Sequence, residues 1–375
     1  MKRYLYEAIL KDLTRKMVFV TGPRQVGKTF LARDIEKNFN RSIYLNNDDI
    51  DDARAIRNRE WPLNTELIVL DEIHKLKDWK NYLKGTFDTR RDIQKFLVTG
   101  SARLDTFRQT GDSLAGRYFL YHLNPLSVKE LSGSMAPYEI VSALNRLGGF
   151  PEPFLSASDD HAGRWRKQYY TDIVREDIMD FSRINEIRSI RLMLEMLRRR
   201  VGSPVSYSSL AEDLQLAPNT VRKYIDVLES LNIIFIIRPL HRNIARSLLK
   251  EPKIYFFDSG YVDGDEGVRL ENTVAVCLLK HVQYLQDAKG TETALHYIRT
   301  RDGKEVDFAL AENGVASCFI EVKLSEGSPG RFLKYFKERY PSIHSVQLVH
   351  NLHYDREIND IQIVRAGEWL SQLSA

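Results

Sequence analysis

Apolar and polar positions in the first third of the chain follow the pattern of alternating strands and helices. Short, largely apolar runs predict strands over residues 17–21, 42–46, 66–71 and 95–101, and small, polar or charged residues end or follow each run. Runs of this length and composition are typical of a parallel sheet, whose strands are covered on both faces. The first dozen residues instead space their apolar side chains as one side of a short helix. The pattern therefore predicts an α/β domain at the N-terminus.

The segment after the first strand carries the most specific motif of the chain. It reads Gly-Pro-Arg-Gln-Val-Gly-Lys-Thr, and a helical pattern begins near Lys28. Gly22 and Gly27 let the backbone wrap around a phosphate group, and the start of the helix adds its positive dipole end. Lys28 reaches the outer phosphates and the Thr29 hydroxyl ligates Mg2+, so the segment predicts an ATP site. The alternative is a glycine turn before an ordinary helix. The residues expected to contact the nucleotide are Gly22, Pro23, Arg24, Gln25, Val26, Gly27, Lys28, Thr29 and Phe30.

The third predicted strand ends in two carboxylates, Asp71 and Glu72. A buried parallel strand that ends in acidic residues places them at the sheet edge where ligands bind. We expect Asp71 to hold Mg2+ through its water shell and Glu72 to act as general base on the water that attacks the γ-phosphate. Taken alone, these residues would indicate only a strand with a polar end. The acidic run after the second strand, residues 47–52, is predicted to be a solvated turn.

Two further residues are candidates for sensing or stabilising the γ-phosphate. The strand over residues 95–101 ends in small hydroxyl residues. We expect Ser101 to sense that phosphate, with Thr99 as the alternative. Arg117 follows small residues and precedes another strand, where an arginine can reach a neighbouring subunit's γ-phosphate. The alternatives are a strand that runs into a glycine turn for Ser101, and a surface salt bridge for Arg117.

Composition bounds the class of protein. At 375 residues, the chain predicts two or three domains. Its two cysteines cannot form a disulfide framework, and it has neither a secretory signal pattern nor an apolar run of membrane-spanning length. We therefore expect a cytoplasmic protein without a membrane partner. The net charge of +4 permits nucleic-acid binding only if that charge is locally concentrated.

These motifs together resemble one family. The phosphate loop, Leu-Asp-Glu-Ile-His with Trp79 close behind, Thr-Gly-Ser and Leu-Ala-Gly-Arg are similar in order and spacing to the AAA-type ATPases of the AAA_14 group. Members usually carry a C-terminal DUF4143 domain, and Phe-Pro-Glu-Pro at 150–153 and the segment 252–260 resemble that family's downstream markers. The resemblance implies an oligomer-forming, Mg2+-dependent ATPase of the prokaryotic cytoplasm.

The middle of the chain is predominantly helical and includes a helix-turn-helix pattern over residues 206–228. The apolar run after it fits the first strand of a wing, so the segment predicts a winged helix. From residue 180 to 250 there are twelve Lys and Arg against seven Asp and Glu. We therefore expect DNA contacts from Arg222, Lys223 and Arg242. The alternative is a winged helix that only separates two domains.

The C-terminal pattern indicates a second phosphate chemistry. Two strands joined by an Asp-Gly turn carry Asp307, and the next strand carries Glu321 and Lys323 on one face. With Glu271 on an upstream helix, this is the arrangement of PD-(D/E)XK nucleases, although Val306 replaces the proline of that motif. Asp307 and Glu321 would bind Mg2+, and Glu271 would tune that metal or bind a second one. Lys323 would orient the attacking water or offset developing charge. The alternative is a surface ion pair between Glu321 and Lys323.

The sequence therefore predicts an α/β protein with three parts: an AAA-type P-loop ATPase domain over 1–130, a helical and winged-helix domain over 131–250, and a restriction-endonuclease-like α/β domain over 251–375. The predicted function is Mg2+-dependent ATP hydrolysis coupled to binding, remodelling or processing of duplex or branched DNA. A homo-oligomer, in the form of a full or partial ring, is the expected assembly. Metal-dependent nuclease activity is left open. The alternative function is an ATP-gated scaffold or sensor, in which an inert nuclease fold binds a protein partner.

Overall fold

Parallel strands form the sheet of the N-terminal part of the protein. In the computed structural model, the strands of this sheet among the described residues are β1 Met17–Thr21, β2 Ser42–Asn46, β3 Leu67–Asp71, β4 Lys95–Thr99 and β5 Tyr118–His122. Their order is β2-β3-β4-β1-β5, and each neighbouring pair is parallel. Strands β1 and β3 are buried along their whole length, as their apolar sequences require. Because all strands run the same way, their carboxyl ends meet at one edge of the sheet.

Short helices pack against this sheet: α1 Tyr6–Asp12, α2 Lys28–Glu36, α3 Ile50–Asn58 and α4 Trp79–Asp88. The core between them is apolar and contains Phe19, Ile68, Leu70 and Phe96. The predicted turn at residues 47–52 is wrong in its second half, because α3 already begins at Ile50. The Asp49 side chain caps this helix by accepting hydrogen bonds from the backbone N–H groups of Asp51 and Asp52.

The structure describes residues 1–100, 114–176, 184–240, 250–325 and 327–375. These residues form two compact units. The first comprises residues 1–124 and 287–289, and the second comprises 125–286 and 290–375. Within the described ranges, no helix is both long enough and apolar enough to span a bilayer.

The second unit begins with helices: α5 Val128–Leu131, α6 Pro137–Leu147, α7 Pro151–Ser156, α8 Asp159–Glu176, α9 Ile184–Leu197, α10 Tyr207–Leu214 and α11 Pro218–Ser230. Helices α10 and α11 form the predicted helix-turn-helix pair. The residues expected to form its small core, Leu210, Ala211, Val221 and Leu228, are all buried.

A mixed sheet forms the rest of the second unit. Its strands among the described residues are β6 Ile234–Pro239, β7 Lys253–Phe256, β8 Thr293–Arg299, β9 Glu305–Glu312, β10 Val315–Lys323, β11 His344–Val349, β12 Arg356–Ile358 and β13 Ile361–Arg365. The strand order is β12-β13-β11-β10-β9-β8-β6-β7, so β10 is an inner strand, as its apolar residues predicted. The accompanying helices are α12 Glu266–Tyr284, α13 Arg331–Arg339 and α14 Ala366–Ser371.

Strand β6, which follows the helix-turn-helix pair, belongs to this sheet. It pairs antiparallel with β7, and its end at Arg238 and Pro239 pairs parallel with β8. The expected domain boundary at residue 250 therefore falls between two hydrogen-bonded strands. The division into a winged-helix domain and a separate C-terminal domain stays a prediction.

Candidate active site

The glycine loop leaves β1 at Thr21 and enters α2 at Lys28. Gly22 and Gly27 have φ angles of 146° and 99°, and Gln25 between them has a φ of 58°. A Cβ atom on Gly22 would lie 2.2 Å from the carbonyl oxygen of Leu123, so both the dihedral and the space call for glycine. The sequence thus folds into the strand, loop and helix on which the motif depends.

Lys28 lies inside this loop. Its side chain is buried, and its ammonium donates hydrogen bonds to the carbonyl oxygens of Gly22, at 3.0 Å, and Pro23, at 2.7 Å. The loop therefore encloses a fixed positive charge beside its inward-curving backbone. Such a charge stabilises bound phosphate groups.

Asp71 is the centre of the polar network at the carboxyl edge of the sheet. One carboxylate oxygen accepts hydrogen bonds from the Thr29 hydroxyl, at 3.1 Å, and from the Tyr44 hydroxyl. The other accepts from the Thr99 hydroxyl at 2.5 Å and from the Glu72 backbone N–H at 3.0 Å. Because β3 lies between β2 and β4, with Thr99 directly beside Asp71, the sheet order brings Tyr44 and Thr99 to the Asp71 carboxylate.

Tyr44 also belongs to this site, although no sequence motif identifies it. It lies on β2, pairs in register with Val69 and reaches Asp71 with its hydroxyl. The Arg33 guanidinium lies over its ring, 3.7 Å from the centroid. Burial and the hydrogen bond to Asp71 raise the pKa of Tyr44 well above its ordinary value, so the phenol stays protonated and donates. The available signal was a polar aromatic residue close to the carboxyl end of a predicted strand.

Glu72 follows β3 with a left-handed φ of 54°. Its carboxylate lies 3.5 Å from Nδ1 of His74. Burial raises the pKa of Glu72 above its usual range, while the charge of Lys28 acts in the opposite direction. A partly desolvated carboxylate in this position is a stronger base than a solvated one.

The other residues of the expected nucleotide contact differ in exposure. Val26 is buried, and its carbonyl oxygen accepts a hydrogen bond of 2.6 Å from Arg3. The Phe30 side chain is 55% exposed, so it lies on the outer side of α2 and remains accessible. Arg24 is half-buried and Gln25 is exposed.

The two candidates for γ-phosphate contact have different outcomes. Ser101 lies outside the described residues. Its alternative, Thr99, is buried and donates to Asp71. Arg117 forms two hydrogen bonds with the carboxylate of Asp88, at 2.8 and 3.0 Å, and is thus engaged in the ion pair that the alternative reading described. This contact lowers the pKa of Asp88 and raises that of Arg117.

In the second unit, Glu271 and Asp307 lie near one cation, Lys253. Its ammonium is 3.4 Å from Glu271 Oε1, 3.8 Å from Asp307 Oδ1 and 2.7 Å from Glu305 Oε1. Burial disfavours the charge on Lys253, but the three carboxylates outweigh that effect and raise its pKa. Burial and the nearby Asp307 also raise the pKa of Glu271.

Glu321 is paired differently. Its Oε1 lies 3.0 Å from the Lys323 ammonium, which is the ion pair expected of two residues on one face of a strand. A Cβ atom on Gly330 would come within 2.2 Å of the Glu321 carboxylate, so the backbone at the start of α13 packs closely against it. Asp307 instead accepts a hydrogen bond of 2.8 Å from the Val322 backbone N–H. Across the ranges described, no three Asp, Glu, His or Cys side chains are arranged to hold a metal ion.

Two of the three residues expected to contact DNA lie within the described residues. Arg222 and Lys223 are adjacent and exposed on α11, as predicted for the second helix of the pair. The Arg222 guanidinium lies 5.8 Å from the centroid of the Tyr207 ring. Arg242 lies outside the described residues.

Comparison with known families divides the chain into three parts. Residues 14–132 match the AAA domain family AAA_14, and residues 266–369 match a domain of unknown function, DUF4143. Residues 139–263 match another domain of unknown function, DUF8612. The glycine loop and the Asp71 network both lie in the AAA match. The N-terminal unit therefore has the fold and family features of an AAA-type P-loop ATPase domain.

Two curated proteins are similar to this chain over most of its length. "Uncharacterized protein Rv2008c" of Mycobacterium tuberculosis is 28% identical over 306 residues, which cover 80% of this chain and 68% of that protein. "Uncharacterized protein MJ1544" of Methanocaldococcus jannaschii is 22% identical over 363 residues, which cover 88% of this chain and 80% of that protein.

Among solved structures, the Walker-type ATPase PABY2304 of Pyrococcus abyssi is similar with a TM-score of 0.45 and 14% identity, covering 70% of this chain and 94% of that one. The STAND protein PH0952 of Pyrococcus horikoshii has a TM-score of 0.29 and 16% identity, covering 76% of this chain and 47% of that one. At scores this low, the class of the N-terminal unit depends on its family match and its own geometry.

Proposed function

We propose that this protein is a Mg2+-dependent ATPase that couples ATP hydrolysis to the binding and remodelling or processing of DNA. The observation that carries the ATPase assignment is the convergence of Lys28, Thr29, Asp71 and Glu72 at one edge of a parallel sheet. Each of these residue types has a separate role in phosphoryl transfer to water. The AAA family match over the same residues supports the assignment.

The residues of the loop bind and orient the triphosphate. Lys28 turns from the loop carbonyls to the outer phosphates, and the backbone N–H groups of residues 24–29 surround them. Thr29 and Asp71 fit a Mg2+ site, because both oxygens are already within hydrogen-bond distance of each other. When bound, Mg2+ offsets the charge that develops on the phosphate oxygens. Glu72 takes the proton of the attacking water, which the raised pKa of its carboxyl group favours.

We propose that an arginine from a neighbouring subunit completes the ATPase site. Arg117 would have to leave Asp88 to reach the γ-phosphate of the next chain in a homo-oligomer, where it would stabilise transition-state charge. That rearrangement gives ATP hydrolysis a dependence on assembly. Ser101 is the proposed γ-phosphate sensor of the same site.

We assign DNA contact to helix α11 and the segment after β6. Arg222 and Lys223 supply adjacent exposed cations. Arg242, which lies outside the described residues, is included on its sequence position alone. Contacts of this kind act mainly on the phosphate backbone, so they favour duplex or branched DNA without a strong sequence preference.

A second candidate function is an ATP-gated scaffold or sensor whose C-terminal unit binds a protein partner and cuts nothing. The observation in its favour is that the carboxylates expected to bind metal are already close to lysine ammonium groups. Both candidate functions include ATP hydrolysis, so the effect of DNA on ATP turnover distinguishes them.

The experiment is steady-state ATP hydrolysis with and without single-stranded, duplex and branched DNA. We expect duplex or branched DNA to raise turnover severalfold, and Arg222→Glu with Lys223→Glu to remove the increase while leaving basal turnover unchanged. Arg164→Glu, an exposed charge on α8, is the matched control. Equal turnover with every DNA would reject the DNA assignment and favour the scaffold.

A further inference from the structure

A lysine lies among acidic side chains in the second unit. The Lys253 side chain is only 1% exposed, although it carries a charge. Its ammonium contacts Glu305 at 2.7 Å and lies within 4 Å of Glu271 and Asp307. Buried lysines are rare unless they are paired, so a group of three carboxylates around one ammonium is a specific arrangement.

The members of this group come from three elements that are distant in the sequence. Lys253 opens β7, Glu271 lies on α12, and Glu305 and Asp307 lie on β9. Two of the residues, Glu271 and Asp307, are also those that the nuclease pattern assigns to Mg2+. The cation is supplied by β7, which the pattern does not include.

The carboxylates have further donors. Glu271 accepts a hydrogen bond of 2.7 Å from Tyr255, and the second oxygen of Glu305 accepts one of 2.7 Å from Arg299. Asp307 accepts the backbone N–H of Val322. Space is limited as well, because a Cβ atom on Gly202 would lie 2.8 Å from both carboxylate oxygens of Glu271.

We propose that Lys253 is the resident cation of this acidic group, so that Glu271, Glu305 and Asp307 bind no divalent metal and the second unit does not cut DNA through Asp307. A metal ion that entered the group would have to expel the ammonium or accept its repulsion at close range. Expelling it leaves a buried, unpaired charge, which is strongly unfavourable. The group instead ties β7 to α12 and β9. The proposal does not depend on the ATPase assignment.

The test is titration calorimetry, in which Mn2+ is added to the nucleotide-free full-length chain. We expect no difference in Mn2+ binding between the wild type and Asp307→Asn. We expect Lys253→Met to gain a site at least tenfold tighter than any in the wild type, because three carboxylates lose their ammonium. Asp307→Asn in the Lys253→Met background should remove that site. Lys304→Met is the control, since Lys304 pairs with Asp302 outside the group.

Two results would overturn the proposal. One is Mn2+ binding by the wild type that Asp307→Asn abolishes, accompanied by Mg2+-dependent cleavage of duplex DNA that the same variant loses. The other is a folded Lys253→Met variant that gains no Mn2+ site. If Lys253→Met does not fold, the comparison of the wild type with Asp307→Asn decides alone.

Discussion

At the scale of single residues, Asp71 shows how the site holds its geometry before nucleotide binds. Four donors from Thr29, Tyr44, Glu72 and Thr99 fix both carboxylate oxygens. A carboxylate constrained in this way would lose little conformational freedom in holding Mg2+, the role proposed for it above. Thr29 is the donor whose hydroxyl the metal would claim. The other three would then keep Asp71 in place.

Replacing Tyr44 by Phe tests this positioning. The change removes one donor to Asp71 and keeps the ring under Arg33, so the strand and the cation–π contact should persist. We expect turnover to fall severalfold and the Mg2+ concentration for half-maximal turnover to rise, with ATP binding nearly unchanged. Turnover measured against Mg2+ concentration checks this expectation.

Tyr354→Phe is the control, because Tyr354 is 66% exposed in the second unit. A Tyr44→Phe variant with an unchanged Mg2+ requirement would show that Tyr44 only packs against the site.

At the scale of elements, the sequence predicted the strands and the glycine loop, because these depend on local residue patterns. The strands at residues 17–21 and 42–46 have the predicted bounds, whereas the strand predicted over residues 95–101 ends at Thr99. The glycine loop follows the first of them, as its motif requires. Helix α3 was missed because its acidic start resembles a turn, and only the capping by Asp49 distinguishes the two.

Residues that come into contact only in the tertiary fold could not be predicted from local sequence patterns. Tyr44 and Asp71 are brought together by the order of β2 and β3, and no local pattern encodes that order. Lys253 is separated from Glu305 by a helix and a strand, and the hairpin of β6 and β7 carries it to the acidic group. The nuclease motif includes Glu271 and Asp307, but it does not include Lys253.

The glycine loop gives a prediction at this scale. Gly22→Ala should destabilise the protein by on the order of 1–3 kcal/mol, because its φ of 146° is strained for alanine and its Cβ would meet Leu123. Gly163→Ala on α8 is the control, since nothing lies within 4 Å of its Cβ. It should be neutral or stabilising by roughly 0.5–1 kcal/mol.

Calorimetric unfolding of both variants provides the comparison. Equal stability of Gly22→Ala and the wild type would mean that the loop relaxes away from Leu123. The close approach between these two residues would then have no consequence for the fold.

At the scale of the whole molecule, the two units have different chemical characters. The first brings a lysine, a hydroxyl and two carboxylates together at the carboxyl edge of a parallel sheet. The second has a similar number of charged groups, but it closes them on one another around Lys253. We therefore place the chemistry of this protein in the first unit and expect the second to provide binding surfaces.

The most direct test of this account compares ATP binding and ATP turnover in the wild type, Glu72→Gln and Lys28→Ala. Lys37→Ala, which changes an exposed lysine directly after α2, is the control. Glu72→Gln should bind ATP as the wild type does, with turnover reduced by roughly a hundredfold or more because the general base is lost. Lys28→Ala should lose ATP binding. Full turnover in Glu72→Gln, or unchanged ATP affinity in Lys28→Ala, would contradict the assignment of this site.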